Sequence, residues 1–293
     1  MPKIVEYGSR AGDACVLLLG FFDGVHVGHR RLIAKARAAA EGAGVQLAAM
    51  TFHGGKSGGQ VYDFAERCAV FEGLGVGIVY AAVYDEVFRA TEGNDFLKQV
   101  NEDLRVHAYF CGEDFTYGRG AACGAEQLRA FARAQGVPVN VLPLVGLHGE
   151  KAAASLAKKY LAEGDIARLN ELLGAPYRIA GMVSTEGRQV GRRIGFPTAN
   201  IHLSPEKFPL RAGVYAVHAD VDGKTYRGIA NYGPRPTFGD LRTVLEVYLD
   251  GYGGDLYGRE LTVYFDGWLR GVRKFASAAE LTAQLRHDLE SIR

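Results

Sequence analysis

The chain has 293 residues, 48% of them hydrophobic and 23% charged. That suits roughly two domains of about 150 residues each and excludes the poorly apolar, highly charged class that stays disordered. Lys and Arg number 34 against 33 Asp and Glu, a net charge of +1, and residues 1–160 carry 17 of each sign, so neither half has the basic footprint needed to bind nucleic acid or an anionic membrane. The longest apolar run, Ala14 to Phe22, spans about nine residues where a membrane helix needs about twenty. The opening Met1-Pro-Lys-Ile-Val-Glu6 has no basic stretch, apolar core and small-residue cleavage site of a secretory signal, so the expected location is the cytoplasm. No pattern in the sequence specifies an oligomeric state. Cys15, Cys68, Cys111 and Cys123 share no CxxC spacing, which points to reduced thiols rather than a zinc site or a disulfide framework. The 39 glycines cluster where strands meet helices or turn back, so backbone close to a ligand is expected.

From the start to about residue 160, Val- and Leu-rich runs alternate with stretches of helical periodicity. Strands are predicted at Cys15–Gly20, Val45–Phe52, Val76–Ala81, Val106–Cys111 and Val137–Leu144, with helices over 29–42, 62–73, 94–103 and 124–135. This order predicts an α/β domain, a parallel sheet wrapped by helices on both faces. A helical connector over 154–173 ends at Leu173-Gly-Ala-Pro176, where Gly followed by Pro stops a helix. Short β-rich runs follow at Tyr177–Val183, Val214–Val221, Thr225–Asn231, Val244–Leu249 and Leu261–Phe265, with Asp222-Gly223 as a hairpin turn. They predict a small antiparallel barrel. A last helix over 278–292 is announced by the capping box Ser277-Ala-Ala-Glu280. The domains are then 1–158, a connector at 159–176, and 177–293.

The segment Gly20-Phe-Phe-Asp-Gly-Val-His-Val-Gly-His29 follows a predicted strand and runs into a helix, the junction where open α/β sheets bind ligands. Gly20, Gly24 and Gly28 let backbone approach a ligand, the helix start offers unpaired N–H groups, and His26 and His29 add donors; together these suit a nucleoside triphosphate. Such a site can move an adenylyl group without a covalent intermediate, because the transfer needs mainly positioning and charge stabilisation. An isolated histidine more often caps a helix, but the position and the glycine spacing favour the phosphate reading. The segment resembles the HxGH nucleotidyltransferases, and within them the first module of the bacterial riboflavin kinase/FMN adenylyltransferase (FAD synthetase) family. Cys111-Gly-Glu-Asp-Phe-Thr-Tyr-Gly118 is similar to that module's GxDFxFG segment. The resemblance implies catalytic roles for His26 and His29, and nucleotide contacts from Gly20, Phe22, Asp23, Gly24, Gly28, Gly112, Asp114 and Lys158. The chain departs from the family pattern in two places. Thr51-Phe-His-Gly-Gly-Lys56 stands for TFxPHP, and Ala153-Ala-Ser-Leu-Ala-Lys158 for SSTxxR. The second removes two hydroxyls and replaces an arginine fork by a lysine.

In Val190-Gly-Arg-Arg-Ile-Gly-Phe-Pro-Thr-Ala-Asn200, the Thr198 hydroxyl and the Asn200 amide point the same way on an extended strand, and oxygen ligands of this kind suit Mg²⁺. Glu246 sits in the otherwise apolar Val244-Leu-Glu-Val-Tyr-Leu249; alone, such a carboxylate reads more readily as a solvated outward residue than as a positioned base. The ordered set of Gly191–Asn200, Pro209–Tyr215, Gly228–Phe238, Leu245–Leu249 and Asp255–Gly258, continuing to Lys274-Phe275 and the last helix, is similar to riboflavin kinase. By that resemblance Gly191, Arg192, Gly195, Pro197, Thr198 and Asn200 hold Mg-ATP, with Thr198 and Asn200 on the metal. Glu246 is then the general base for the ribityl 5'-hydroxyl, and Asn231 and Arg270 lie beside the flavin. Leu269-Arg-Gly-Val272 replaces the family's LRxE, losing an acidic residue.

The resemblance as a whole implies a Rossmann-like HxGH domain followed by a Greek-key β-barrel with a terminal helix. Its ligands are riboflavin, FMN and ATP, with ATP as co-substrate and Mg²⁺ as cofactor. The expected activities are ATP-dependent phosphorylation of riboflavin to FMN and adenylylation of FMN to FAD. Two other readings are a riboflavin kinase whose first domain is catalytically silent, and a flavin-binding sensor without turnover.

Overall fold

The computed structural model describes residues 1–54, 58–184, 196–235 and 240–292. The chain divides into two compact units, Met1–Leu156 and Ala157–Arg293.

The first unit is built on a parallel sheet. Its strands are β1 (Lys3–Glu6), β2 (Ala14–Leu19), β3 (Gln46–His53), β4 (Ile78–Val83), β5 (Arg105–Gly112) and β8 (Val139–Leu142), in the spatial order β1-β4-β3-β2-β5-β8. Two short ladders, β6 (Thr116–Tyr117) with β7 (Cys123–Gly124) and β9 (Gly146–Leu147) with β10 (Glu150–Lys151), lie outside it. Four successive β2 residues, Cys15 to Leu18, are fully buried, which requires cover on both faces of the sheet. The helices α1 (Val27–Ala43), α2 (Phe64–Gly73), α3 (Glu86–Ala90), α4 (Gly93–Asp103) and α5 (Ala125–Arg133) are interleaved with the strands. Leu17, Leu19, Tyr109 and Cys111 on one face pack with Phe96, Leu97 and Val100 of α4 and Leu128 and Ala132 of α5. The edge strand β1, beside β4, is too short and too polar for periodicity to reveal. β8 is shorter than its sequence suggests because Pro138 and Pro143 flank it and lack the N–H a ladder needs.

The expected single connector helix is two helices, α6 (Ala154–Glu163) and α7 (Ile166–Leu173). Gly164 adopts φ 73° between them, and Asp165 caps α7 by accepting the Arg168 N–H at 3.1 Å.

The second unit is an antiparallel sheet of β11 (Tyr177–Met182), β12 (Ala199–Ile201), β13 (Gly213–Val221), β14 (Lys224–Arg235), β15 (Asp240–Leu249) and β16 (Glu260–Arg270). Its order is β11-β16-β13-β14-β15-β12. The return of β16 beside β13 is the Greek-key arrangement. The sheet curls until its edges meet: Val183 bridges to Ile201, Ser184 N–H donates to Asn200 O at 2.7 Å and His202 N–H to Met182 O at 3.2 Å. Tyr215, Val217, Leu245, Val247, Val263 and Phe265 are buried along alternating positions. Asn170 pins α7 to the sheet, donating to Phe265 O at 2.9 Å and accepting from Tyr177 N–H at 2.7 Å. The terminal helix α8 (Ala278–Glu290) is capped as expected by Ser277, whose hydroxyl accepts the Glu280 N–H. Glu280, however, accepts from the Ala276 N–H rather than from Ser277, so only half of the predicted capping box forms. Leu285 and Leu289 of α8 pack with Phe196, Val214 and Ile229 on the outer face of the sheet.

Gly228 of β14 lies so close to β15 that an added Cβ would sit 1.9 Å from Tyr248 O. Gly228→Ala is therefore expected to destabilise the second unit by about 3 kcal/mol, at the upper end for overpacking against rigid backbone, read as a lowered urea midpoint of the full-length protein.

Candidate functional site

In the first unit, the chain leaves β2 to build β3 and β4 on one side and returns as β5 on the other. The connections leaving the paired C-terminal ends of β2 and β5 therefore run to opposite sides, the topological switch point at which open α/β sheets bind ligands. The loop from Gly20 to His26 rises from β2, and Gly112 to Asp114 from β5. Phe22 (φ 58°), Gly24 (φ 77°) and Val25 (φ 44°) all take left-handed backbone, which for a bulky or β-branched residue is costly and needs support from its surroundings. Asp23 supplies part of that support, its Oδ1 accepting the Val61 N–H at 2.7 Å, and Thr51 Oγ1 donates to Phe21 O at 2.8 Å. Phe22 and Val25 are buried, the Phe22 ring lying 4.9 Å from His29 and 5.5 Å from Phe71.

His26 is the N-cap residue of α1, and its ring stacks on His29 with centroids 3.7 Å apart. A Cβ at Gly28 would approach the His26 ring to 3.2 Å, so this position keeps space for that ring. Burial holds His26 down to about 4, with the Asp114 carboxylate opposing and the Lys151 ammonium reinforcing the shift. His29 is held well below its ordinary value by burial first, then by His26 and Arg67. Both rings are thus neutral at pH 7, each with one N–H to donate, and the Nδ1 atoms of both are buried without a hydrogen-bond partner.

Two cations beside this pair are not apparent from the sequence. Arg67, fully buried in α2, donates to Gln60 Oε1 at 2.6 Å and Phe52 O at 2.7 Å. Lys151 lies 2.6 Å from Asp114 Oδ2. Neither stands in a motif; Arg67 occupies a helical position that reads as ordinary amphipathic surface. Lys158, predicted to grip phosphate with the first domain, falls in the second unit, with Nζ 5.8 Å from the ring centre of Phe208. Burial pushes the thiols of Cys15 up to about 12 and of Cys68 and Cys111 up to about 11, so these are packing residues rather than nucleophiles.

In the second unit, strand register brings the predicted residues together. Asn200 of β12 lies opposite Glu246 of β15, Glu246 opposite Asn231 of β14, Asn231 opposite Val214 of β13, and Val214 opposite Arg270 of β16. Directly opposed residues share a sheet face, so Asn200, Glu246, Asn231 and Arg270 form one line across the outer face. All four are half-buried, while Ala199, Leu245, Val247 and Tyr232 beside them are buried on the other face. Thr198 and Pro197 lead into β12, with Thr198 half-buried two residues before Asn200. Gly191, Arg192 and Gly195 lie outside the described residues. Arg270 does not face the row alone, since it grips Asp288 of α8. Among the described residues no three His, Cys, Asp or Glu side chains gather as a metal cage. The Thr198 hydroxyl and Asn200 amide instead offer the neutral oxygen donors that suit a cation held mainly by phosphates and water.

Residues 9–156 match the family described as FAD synthetase, and residues 173–293 the family described as riboflavin kinase. Bifunctional riboflavin kinase/FMN adenylyltransferases from Bacillus subtilis and Pseudomonas fluorescens are each 34% identical to the chain, over 93% and 95% of it and 90% and 92% of their own lengths. That from Escherichia coli K12 is 32% identical over 94% of the chain and 91% of its own. A crystal structure described as a macrolide-efflux protein from Streptococcus pneumoniae is similar over 99% of this chain and 98% of that one, with a TM-score of 0.85 and 26% identity. Among the described residues no helix is long and apolar enough to cross a membrane. Two ordered family matches over nearly the whole length, on units that carry the HxGH pair and the Glu246 row, establish that the chain belongs to the bifunctional riboflavin kinase/FMN adenylyltransferase family.

Proposed function

We propose that the second unit phosphorylates riboflavin with ATP to give FMN, that the first transfers the AMP moiety of ATP to FMN to give FAD, and that both work in the cytoplasm. The observation that carries this reading is the line Asn200–Glu246–Asn231, which sets one carboxylate between two amides on the outer face of a sheet. A carboxylate so placed can accept the proton of the ribityl 5'-hydroxyl as its oxygen attacks the γ-phosphorus of ATP and ADP departs. Thr198 and Asn200 would hold Mg²⁺, which when bound supplies neutralisation of charge on the phosphate oxygens. Asn231 orients the ribityl chain beside the base, and Arg270 borders the ring. Arg270 stands three strand spacings from Glu246, about 14 Å at ~4.8 Å per strand, a span that accommodates a ribityl chain carrying a tricyclic ring.

In the first unit, an FMN phosphate oxygen attacks the α-phosphorus of ATP and pyrophosphate leaves. His26, buried, and His29, half-buried, are both neutral and donate N–H groups to the phosphate oxygens where charge accumulates. The start of α1 adds its unpaired backbone N–H groups, with Gly24 and Gly28 keeping the approach open. Arg67 puts positive charge beside His29, which offsets in part the hydroxyls and the arginine this chain lacks, while the Lys151 charge is paired with Asp114. For that reason a working transferase is favoured over a silent first domain.

Glu246→Gln keeps the shape of the base but not its basicity, and is expected to lower the rate of FMN formation by about 10² or more. FMN formation at the wild-type rate, followed by chromatography of riboflavin, FMN and FAD, would remove Glu246 from this role. His29→Ala is expected to lower FAD formation from supplied FMN by about 10² to 10³ and to leave FMN formation unchanged; loss of both together would tie the two activities to one site.

Since His26 binds its proton near pH 4 in the folded state and near 6.5 when unfolded, the unfolded state takes up more protons between those values. Stability should therefore fall as pH drops from 6.5 towards 4. His26→Asn should flatten the dependence of the urea midpoint on pH across that window, and an unchanged slope would contradict the neutral-imidazole assignment.

A further inference from the structure

Arg270 differs from the other members of the polar row in being anchored to a separate element. Its Nε donates to Asp288 Oδ1 and Oδ2 at 3.1 and 3.0 Å, its Nη2 to Oδ2 at 2.7 Å and its Nη1 to Gly271 O at 3.2 Å. Asp288, on α8, is only 4% exposed and also accepts from Gln284 Nε2 at 2.8 Å. A buried carboxylate is strongly disfavoured unless it is paired, so Asp288 and Arg270 behave as one unit. A guanidinium has five N–H groups. These contacts use the one on Nε and one on each Nη, leaving a single N–H on Nη1 and another on Nη2. The Arg270 side chain is 20% exposed, so it is not sealed from a ligand. The helix carrying Asp288 is itself fixed to the same sheet face, Leu285 and Leu289 packing with Val214 and Ile229, and Val214 is the row member between Asn231 and Arg270.

We propose that Asp288 is a positioning residue for the flavin end of the kinase site. By holding the Nε–Nη2 edge of Arg270, it orients the two N–H groups left over towards the polar edge of a planar heterocycle at the Arg270 end of the row. The terminal helix is thereby a working part of the site rather than a packing element alone. This rests on the kinase reading above and adds a division of labour: Glu246 governs turnover at one end of the row, and the Arg270–Asp288 pair governs ring affinity at the other.

The test uses the full-length protein and riboflavin itself, with binding read by quenching of flavin fluorescence and turnover by FMN formation. Asp288→Asn removes the charge at almost constant shape. It is expected to raise the riboflavin Kd about tenfold, the scale of one charge-assisted hydrogen bond, with the loss falling on KM for riboflavin rather than on kcat or on KM for ATP. Asp288→Glu, which keeps the charge, should recover most of the affinity. If Asp288 acts through Arg270, the double variant Arg270→Ala/Asp288→Asn should bind no more weakly than Arg270→Ala alone. Wild-type affinity in Asp288→Asn, or effects that simply add in the double variant, would overturn the proposal. So would an equal loss in KM for ATP that Asp288→Glu fails to repair. Because binding is read without turnover, a wild-type protein that binds riboflavin but makes no FMN would count against the kinase reading and still leave this comparison decisive.

Discussion

The register of the second sheet fixes both the barrel core and the polar row on its outer face. Side chains alternate strictly along a strand, so a slip of one residue in β15 would turn Glu246 into the interior and Leu245 outward. Leu245, Val247 and Leu249 are buried while Glu246 is half-buried, so the apolar set that stabilises the barrel also aims the carboxylate. The Asp222–Gly223 turn, with both residues at positive φ, holds β13 and β14 in register through the hairpin geometry such turns impose. Gly228 then admits β15 at close range. The alignment of Asn200, Glu246 and Asn231 is a consequence of these backbone constraints.

The first unit reaches its site by the opposite route, through local strain held in place by packing. Residues in sparsely populated backbone regions cost of order 1–3 kcal/mol each, and Phe22 and Val25 both occupy left-handed backbone. Burial of their side chains and the bonds from Val61 and Thr51 offset that cost. The loop therefore owes its shape to β3, α2 and the segment around Val61 more than to its own sequence. Arg67 extends the same support, joining Phe52 and Gln60 around the histidine pair.

Much of this was legible in the sequence where one physical signal dominated. The parallel sheet follows from apolar runs buried on both faces, the barrel from short alternating strands, and the His26–His29 pair from its place between a strand and a helix. The features that escaped depend on long-range geometry. β1 is a polar edge strand stabilised by its neighbour β4. α6 and α7 carry one continuous helical pattern, which breaks at Gly164 because Asp165 can cap the first turn of α7. Arg67 is helical in periodicity and becomes a core cation only where a strand end and a loop supply carbonyl acceptors. Glu246 is the most telling case. Alone it reads as a solvated residue, and it becomes a candidate base once register sets an amide on either side of it.

The two candidate sites differ in how deeply their titratable groups are buried. Glu246 lies half-buried on the outer face, opposite the amides of Asn200 and Asn231. His26 is buried and His29 half-buried with its Nδ1 buried, and the loss of solvent holds both stacked rings below their ordinary values, so that neither is charged at pH 7. Neutral N–H donors strengthen as charge builds on the phosphate oxygens, which is where electrostatic preorganisation contributes most. Arg270 follows a third pattern: its charge is offset by Asp288, and the N–H groups left over remain directional donors. A guanidinium left unpaired at that point would favour an anion instead, so the buried carboxylate on α8 bears on which ligand the row prefers as well as on how the helix is held.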